Sequence, residues 1–183
     1  MARTSIEITI TPTQVVLNGT SLHCEQTGEK MLTELYHSIG NYPKFFKMDM
    51  LSKLGFIGSE LILQHEGAER FVPNYNRAVI FGNRQASIKN DTDYLTTISD
   101  SANYYPSPAL FVYTLPNIVT GEIAIRNKYY GETCFYVLDN PQALFSLAEL
   151  TLNTTGYQSA LVGWVECLNE NNFYANIKLI WKN

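Results

Sequence analysis

Three short runs of continuous apolar residues constrain the fold of this chain more than any other feature. The runs are Ala78–Phe81, Cys134–Leu138 and Ala160–Val165, and none of them contains a charged side chain. Uninterrupted apolar runs of this length are typical of strands that are buried on both faces of a sheet. The sequence therefore predicts at least three buried strands.

A helix signal lies between the second and third runs. Asp139 or Asn140 can cap a helix, and Pro141 suits its first position because no N–H is needed there. Gly156 follows the end of the pattern. The inward stripe consists of Leu144, Leu147, Ala148 and Thr151. This order of elements predicts a β-α-β unit with a right-handed crossover between parallel strands.

The first forty residues carry strand signals followed by a short helix signal. Ile6, Ile8 and Ile10 alternate with polar residues, which is strand spacing. The dipeptide Asn18-Gly19 is typical of a tight turn, so the start of the chain predicts a small β hairpin or meander. Residues Lys30–Ser38 then predict a short helix.

A longer helix is predicted to start at Pro43. Its apolar spacing runs through Leu51, Leu54, Leu61 and Ile62. Gly55 and Gly58 lie one turn apart within it, and glycine costs a helix roughly 1 kcal/mol per residue. Two glycines so close together indicate that another element packs tightly against this helix.

The C-terminal residues Phe173–Trp181 alternate apolar and polar side chains, which predicts a last strand, antiparallel and near an edge of the sheet. No linker or repeat divides the chain. We therefore expect residues 1–183 to form a single α/β domain, with a mixed sheet and helices on both faces.

Composition excludes several classes of function. The formal net charge is −4 and no five-residue basic run exists, which argues against nucleic-acid binding. The N-terminus lacks a signal-peptide pattern, and no stretch approaches the roughly 18 apolar residues of a membrane span. Cys24, Cys134 and Cys167 are far apart and form no Cys-x-x-Cys pair. We therefore expect a cytoplasmic protein with reduced thiols and no membrane span.

No residue pattern assembles a reactive centre or a metal site. His23, His37 and His65 lie in no recognisable motif, and the carboxylates are dispersed. Glu122 and Arg126 are four residues apart in a predicted helix, where we expect a structural ion pair. Phosphate-binding loops are also absent from the sequence. The residues by themselves therefore predict no metal, no cofactor and no catalytic group.

Three segments resemble the N-terminal half of the β-ketoacyl synthases of the thiolase fold. They are Tyr42–Gly55, Ser107–Arg126 and Ala160–Glu166, and together they place the resemblance over residues 42–167. The second segment is the most specific, because Thr-Leu-Pro-Asn at 114–117 is followed by Gly-Glu-Ile-Ala at 121–124. The resemblance implies a thiolase-like N-terminal half with a mixed, mostly parallel five-stranded sheet between helical layers, preceded by the N-terminal β hairpin.

The departures from the family pattern imply a loss of activity. In the family, a strand such as Cys134–Leu138 leads to a nucleophilic cysteine at the start of the next helix, and this position falls on Asn140. An amide cannot form the acyl thioester. Cys134 lies about six residues too early to take that role. We also expect the decarboxylating groups of the family, which belong to its C-terminal half, to be absent.

The resemblance implies a chain-length-factor-like subunit that pairs with a full-length β-ketoacyl synthase. Such a subunit helps to shape the tunnel for a chain carried by an acyl carrier protein, which this protein would meet only indirectly, and the nearest kind of pathway is aryl-polyene biosynthesis. The candidate tunnel residues are Leu110, Phe111, Tyr113, Leu115 and Ile118. The candidate partner interface consists of Thr133, Cys134, Phe135, Tyr136, Val137 and Leu138.

Several alternatives remain open at this point. The chain could be a stand-alone module that binds an acyl chain or a carrier protein, or an enzyme with a relocated nucleophile at Cys134 or Cys167. The tunnel candidates could simply fill the local core. A half-length synthase is also expected to expose the large apolar face that its second half would cover, unless the first forty residues and Phe173–Trp181 cap it.

Overall fold

One mixed sheet with helices on both faces organises residues 5–182, the part of the chain that the computed structural model describes. The strands are β1 (Ile6–Thr11), β2 (Gln14–Leu17), β3 (Thr20–Leu22), β4 (Arg77–Asn83), β5 (Thr133–Val137), β6 (Ser159–Asn169) and β7 (Asn172–Trp181). The helices are α1 (Gly28–Tyr36), α2 (Met50–Glu66), α3 (Ile88–Thr96), α4 (Pro108–Val112), α5 (Ile118–Asn127) and α6 (Pro141–Thr154). The predicted α/β class is confirmed.

The sheet is larger and less parallel than the resemblance implied. Its seven strands follow the order β3-β2-β1-β7-β6-β4-β5. Strand β4 is parallel to β5 and to β6, while the other four neighbouring pairs are antiparallel. The expected five-stranded, mostly parallel sheet is therefore wrong in these details. The reason is that the N-terminal meander pairs with β7 and so extends the main sheet instead of standing apart from it.

The predicted β-α-β unit is present, although its two strands are not neighbours. Strands β5 and β6 run parallel on opposite sides of β4, and α6 connects them across the sheet. Strand β7 is antiparallel, as expected, but it lies between β1 and β6. Its expected position near an edge is wrong, because β1 covers its outer side.

Two apolar clusters cover the two faces of the sheet. The larger cluster includes Phe56, Ile57, Phe81 and Ile177 and lies under α1, α2 and α5. The smaller cluster packs Leu144 and its neighbours on α6 against β4 and β6. Strand β4 is buried along its whole length because both clusters meet on it. This explains the continuous apolar run at Ala78–Phe81.

Helix α2 is the long helix that the sequence predicts, but it begins later. Pro43 opens a short 3-10 turn, Pro43–Lys47, and α2 starts at Met50. The side chain of Asp49 caps it by accepting hydrogen bonds from the backbone N–H groups of Leu51 and Ser52, each at 3.2 Å. A capping carboxylate directly before the helix thus sets its start, rather than the proline six residues upstream.

The two glycines of α2 allow the close packing that their spacing predicts. A Cβ atom on Gly55 would lie 2.5 Å from Cγ2 of Val119 on α5. A Cβ atom on Gly58 would lie 2.6 Å from Cδ1 of Ile177 on β7. Helix α2 therefore approaches α5 on one side and the sheet on the other, and the glycines make both approaches possible.

We expect Gly131→Ala, at the entrance to β5, to destabilise the protein. The added Cβ would overlap the backbone carbonyl oxygen of Arg77, which cannot rotate away. The free energy of unfolding, measured by urea denaturation, should fall by about 3 kcal/mol. The matched control is Gly121→Ala on α5, where no atom lies within 4 Å of the new Cβ. This control should be neutral or slightly stabilising, and equal losses for both variants would contradict the argument.

Candidate functional site

Strand β5 forms an open edge of the sheet. Among the described residues, it is the last strand in the order and pairs only with β4. Thr133 and Val137 are exposed, Val137 to 58% of its surface, while Cys134, Phe135 and Tyr136 are half-buried. An edge strand presents unpaired N–H and C=O groups that can pair with another strand.

The hydrogen bonds at both ends of β5 show which backbone groups are free. The N–H of Val79 donates to the carbonyl of Glu132 at 2.8 Å, and the N–H of Leu138 donates to the carbonyl of Asn83 at 2.9 Å. In a parallel ladder, alternate residues bond to the same neighbour. The even-numbered residues of this strand therefore bond to β4. The backbone groups of Thr133, Phe135 and Val137 point away from the sheet.

The side chains of β5 alternate between the two faces. Phe135 packs against the larger cluster, whereas Cys134, Tyr136 and Leu138 pack against the smaller one beneath α6. The six residues predicted as a partner interface therefore do not share one surface. What they have in common is the strand edge itself, so the backbone is the feature that a partner could use.

An exposed aromatic pair stands at the start of this edge. The rings of Tyr75 and Tyr130 stack with their centroids 5.1 Å apart, and the two side chains are 66% and 60% exposed. The N–H of Tyr130 donates to the carbonyl of Asn74 at 2.8 Å, which joins the two segments. The sequence analysis missed Tyr75, because nothing in the sequence links it to a residue 55 positions away. Large exposed aromatic side chains are enriched at interfaces.

Asn140 lies at the tip of α6, just after β5 ends. Its side-chain oxygen accepts a hydrogen bond from the backbone N–H of Ala143 at 3.0 Å, so it is the N-cap of this helix. This confirms that the helix signal begins here. Capping the helix is the one structural role that the described contacts give to this side chain, which is otherwise exposed.

The neighbourhood of this helix tip contains an arginine and a carboxylate. Nε of Arg84 donates to the carbonyl of Asp139 at 2.8 Å, and the backbone N–H of Arg84 donates to Oε1 of Glu166 at 3.1 Å. Burial raises the pKa of Glu166. These contacts tie the carboxyl ends of β4, β5 and β6 together around the start of α6.

All three cysteines are held in their neutral form by their surroundings. Burial raises the pKa of Cys134 to about 11 and that of Cys167 to about 12. Burial and the charge of Glu34 also raise the pKa of Cys24. A thiol with a raised pKa is a poor nucleophile at neutral pH, because the thiolate is the reactive form. All three histidines are exposed on the surface.

The structure separates the five candidate tunnel residues. Leu110 and Tyr113 line a cavity of about 290 Å³, together with Met48 and Met50. Phe111 and Leu115 are 51% and 49% exposed and lie outside that cavity. Ile118 is half-buried at the start of α5. The alternative that these side chains only fill the local core therefore does not hold for Phe111 and Leu115.

Charged side chains surround the mouth of this cavity. Nζ of Lys53 lies 2.6 Å from Glu29, and Nζ of Lys89 lies 2.6 Å from Asp93. Burial and the charges of Asp49 and Glu122 raise the pKa of Tyr113, so its hydroxyl stays protonated. The sequence analysis missed this charged rim, because these four residues come from three separate helices.

The segment that carries α3 and α4 buries very little of its own surface. Asn90 is the one residue of the two helices that is buried. Oγ of Ser87 donates to the carbonyl of Thr114 at 2.6 Å and fixes this segment over the end of β4. Its exposed large apolar residues are Ile88, Leu95, Tyr104, Tyr105, Phe111, Val112 and Leu115. These side chains are individually available for contact with another molecule.

A buried carboxylate connects α2 to α5 and to the loop before β4. Glu60 is fully buried and lies 2.7 Å from Nη2 of Arg70 and 3.6 Å from Nε of Arg126. Nδ2 of Asn127 also donates to it at 3.0 Å. The expected Glu122–Arg126 ion pair is therefore wrong, because Arg126 lies beside the fully buried Glu60 instead.

Glu122 has other partners. It accepts a hydrogen bond of 2.6 Å from the hydroxyl of Tyr42 and lies 3.5 Å from Nζ of Lys44.

Over residues 5–182, no group of three or more His, Cys, Asp or Glu side chains could hold a metal ion. In the same residues, no helix is both long and apolar enough to span a membrane.

Comparison with known proteins identifies the fold. No family model matches the sequence, and neither does any curated protein. Solved structures do match. The ishigamide ketosynthase/chain length factor aligns with a TM-score of 0.67 and 14% identity, over 96% of this chain and 61% of that chain. A ketosynthase (ApeO) in complex with its chain length factor (ApeC) from Xenorhabdus doucetiae aligns with a TM-score of 0.63 and 14% identity, over 99% and 78%.

A β-ketoacyl synthase from Burkholderia phymatum STM815 also aligns, with a TM-score of 0.63 and 11% identity, over 99% of this chain and 59% of that chain. The chain thus spans about three fifths of the length of most of these neighbours and more of the ApeO–ApeC chain. The chain has the fold of the ketosynthases and chain length factors, over a part of their length.

Proposed function

We propose that this protein is a non-catalytic, chain-length-factor-like subunit that pairs with a full-length β-ketoacyl synthase. The observation that carries the proposal is the open edge of β5, with outward backbone groups at Thr133, Phe135 and Val137. Adding a strand to such an edge satisfies these groups and orients two sheets relative to each other. Two of the neighbours in fold are described as ketosynthases together with chain length factors, which supports a paired state.

The surroundings of the edge suit a stable interface. The stacked Tyr75 and Tyr130 lie at one end of β5, and the exposed Val137 lies at the other. A permanent heterodimer buries on the order of 2,000 Å² or more. One strand is too small for that area. Further area must come from other exposed residues, and the apolar side chains exposed on α3 and α4 are our candidates for it.

The cavity beside α4 supports a role in bounding an acyl tunnel. Leu110, Tyr113, Met48 and Met50 form the apolar part of its lining, and its volume is about 290 Å³. Phe111 and Leu115 would join the tunnel wall only when a partner covers them, because alone they face solvent. The growing chain would be attached to a carrier protein that docks on the synthase, in polyketide or fatty-acid-type biosynthesis such as the aryl-polyene pathways.

The helix tip supports the absence of catalysis. By the resemblance, the family's nucleophile position falls on Asn140, and the side-chain oxygen of this residue is already used as the helix cap. The raised pKa values of Cys134 and Cys167 disfavour the alternative of a relocated cysteine nucleophile. The same cavity also supports the alternative of a stand-alone binding module. The two functions are distinguished by pairing with a synthase, which only the proposed subunit requires.

We expect Val137→Pro to weaken pairing with the synthase. Proline removes an N–H that points outward and leaves the bonds to β4 intact. The affinity for co-expressed full-length ketosynthase, measured by titration after co-purification of the native complex, should fall roughly tenfold. Val137→Thr is the matched control, because it keeps the N–H and the branched side chain. A folded Val137→Pro protein that pairs like the wild type would refute the edge as the interface.

We also expect the cysteines of this chain to resist acylation and alkylation. A pKa of about 11 instead of 9.0 leaves Cys134 with about 100-fold less thiolate at neutral pH than a free thiol. Iodoacetamide labelling, followed by mass spectrometry, should be slow at pH 7 and rise with pH. Incubation with an acyl-carrier-protein thioester should label only the partner synthase. Stoichiometric acylation of Cys134 or Cys167 would restore the enzyme alternative.

A further inference from the structure

Asn90 is a buried polar residue on the wall of the cavity beside α4. It belongs to the cavity lining and is only 5% exposed. Its Nδ2 donates to Oδ2 of Asp49 at 2.5 Å. An ionised carboxylate only accepts hydrogen bonds, so this contact fixes which end of the amide is the nitrogen. The carbonyl oxygen Oδ1 is therefore the end of Asn90 that does not face Asp49.

This carbonyl oxygen has no hydrogen-bond donor within residues 5–182. A buried acceptor that is left without a donor costs free energy, and native proteins leave few of them. In the same residues, the fully enclosed side-chain atoms without a partner are Nε of Arg70 and Nε of Arg126. Oδ1 of Asn90 is not one of these enclosed atoms, so a molecule in the cavity can reach it.

The hydroxyl of Tyr113 is a second polar group on this wall. Tyr113 is half-buried in the same lining, and none of the residues that the structure describes forms a hydrogen bond with its hydroxyl. Burial and then the charge of Asp49 raise the pKa of Tyr113. The hydroxyl thus stays protonated and lies in the field of the carboxylate that Asn90 contacts. The wall combines an acceptor and a hydroxyl around one carboxylate.

These two groups restrict the chemistry of a ligand. Oδ1 of Asn90 needs a donor, which a hydrocarbon chain and a ketone both lack. The proton of Tyr113 needs an acceptor, which an ammonium group lacks. In an acyl chain, a hydroxyl is the group that donates and accepts at the same atom. It satisfies both unpartnered groups and brings no charge into the cavity.

We infer that this cavity selects acyl chains that carry a hydroxyl group, with Asn90 and Tyr113 as its specificity-determining residues. The inference rests on the proposed function, since it names the kind of chain that the subunit helps to enclose. A chain without a hydroxyl leaves the buried acceptor of Asn90 unpaired, and sites built around a hydrogen bond discriminate against such ligands. Met48, Met50 and Leu110 contact the methylene groups beside the hydroxyl.

Binding of matched chains to the protein tests this selection. The probes are N-acetylcysteamine thioesters of hexanoic, octanoic and decanoic acid, each with and without a terminal hydroxyl group. For the wild type, isothermal titration should show about fivefold tighter binding of the hydroxylated probe for at least one chain length. In Tyr113→Phe, this preference should fall to about one. The substitution removes a hydroxyl that has no partner among the described residues, so the fold should be unaffected.

The matched control is Tyr94→Phe, which lies outside the cavity lining and should keep the preference of the wild type. A second variant, Asn90→Leu, keeps the volume of the side chain but removes the acceptor, so it should favour the probes without a hydroxyl. Equal binding of both kinds of probe by the wild type would show that water serves Oδ1 of Asn90, and would overturn the inference. An absence of binding, both to the isolated chain and to its complex with a ketosynthase, would overturn it as well.

Pairing with a ketosynthase is measured in a separate experiment, which distinguishes this inference from the proposed function. If the isolated chain prefers hydroxylated probes but binds no ketosynthase, the proposed subunit is refuted and the selective cavity is supported. If the chain pairs with a ketosynthase but binds both kinds of probe equally, the inference alone fails.

Discussion

The buried carboxylate of Glu60 requires polar partners inside the protein, and this requirement brings separate segments of the chain together. It lies fully buried in the middle of α2, a helix that is otherwise mainly apolar along its buried length. A buried charge is tolerated only with charged and hydrogen-bonding partners. Arg70, Arg126 and Asn127 supply them from the loop before β4 and from α5. The requirement fixes three separate segments around one group.

The segments that hold the partners of Glu60 lead directly to β4 and to the open edge of β5. The loop that holds Arg70 continues to Tyr75 and into β4, and α5 continues to Tyr130 and into β5. The ring of Phe71 lies between the guanidinium groups of Arg70 and Arg126, at 4.7 Å and 4.6 Å. The stacked tyrosines follow these two segments in the chain and precede β4 and β5. The buried charges of Glu60, Arg70 and Arg126 therefore lie on the segments that lead into β4 and the open edge of β5.

The sequence predicted the elements of the fold better than their arrangement. Continuous apolar runs identified β4, β5 and β6, since strands covered on both faces need no polar side. Alternation identified β7, but its position next to β1 depends on long-range pairing that no local pattern encodes. The start of α2 was misplaced because proline and aspartate both open helices, and Asp49 caps this one.

In the candidate site, too, local features were predicted from the sequence and long-range contacts were not. The sequence predicted a helix cap at Asp139 or Asn140 from Pro141 and the stripe that follows, and the structure shows that Asn140 is the cap. The five tunnel residues came from one contiguous segment and were treated as one group. The fold of that segment sends Leu110 and Tyr113 into a cavity and Phe111 and Leu115 to the surface. Glu60 and Tyr75 went unnoticed, because their partners lie 10 to 67 residues away and only the folded chain brings them together.

The open edge of β5 also makes the isolated chain prone to aggregation. Natural edge strands are usually guarded by a lysine, a proline or a bulge, and Thr133–Val137 contains neither a lysine nor a proline. Its threonine, valine and aromatic residues have high strand propensity and no charge. A surplus copy is therefore a template for aggregation. The tendency of the isolated chain to aggregate is therefore expected to fall when another strand pairs with this edge.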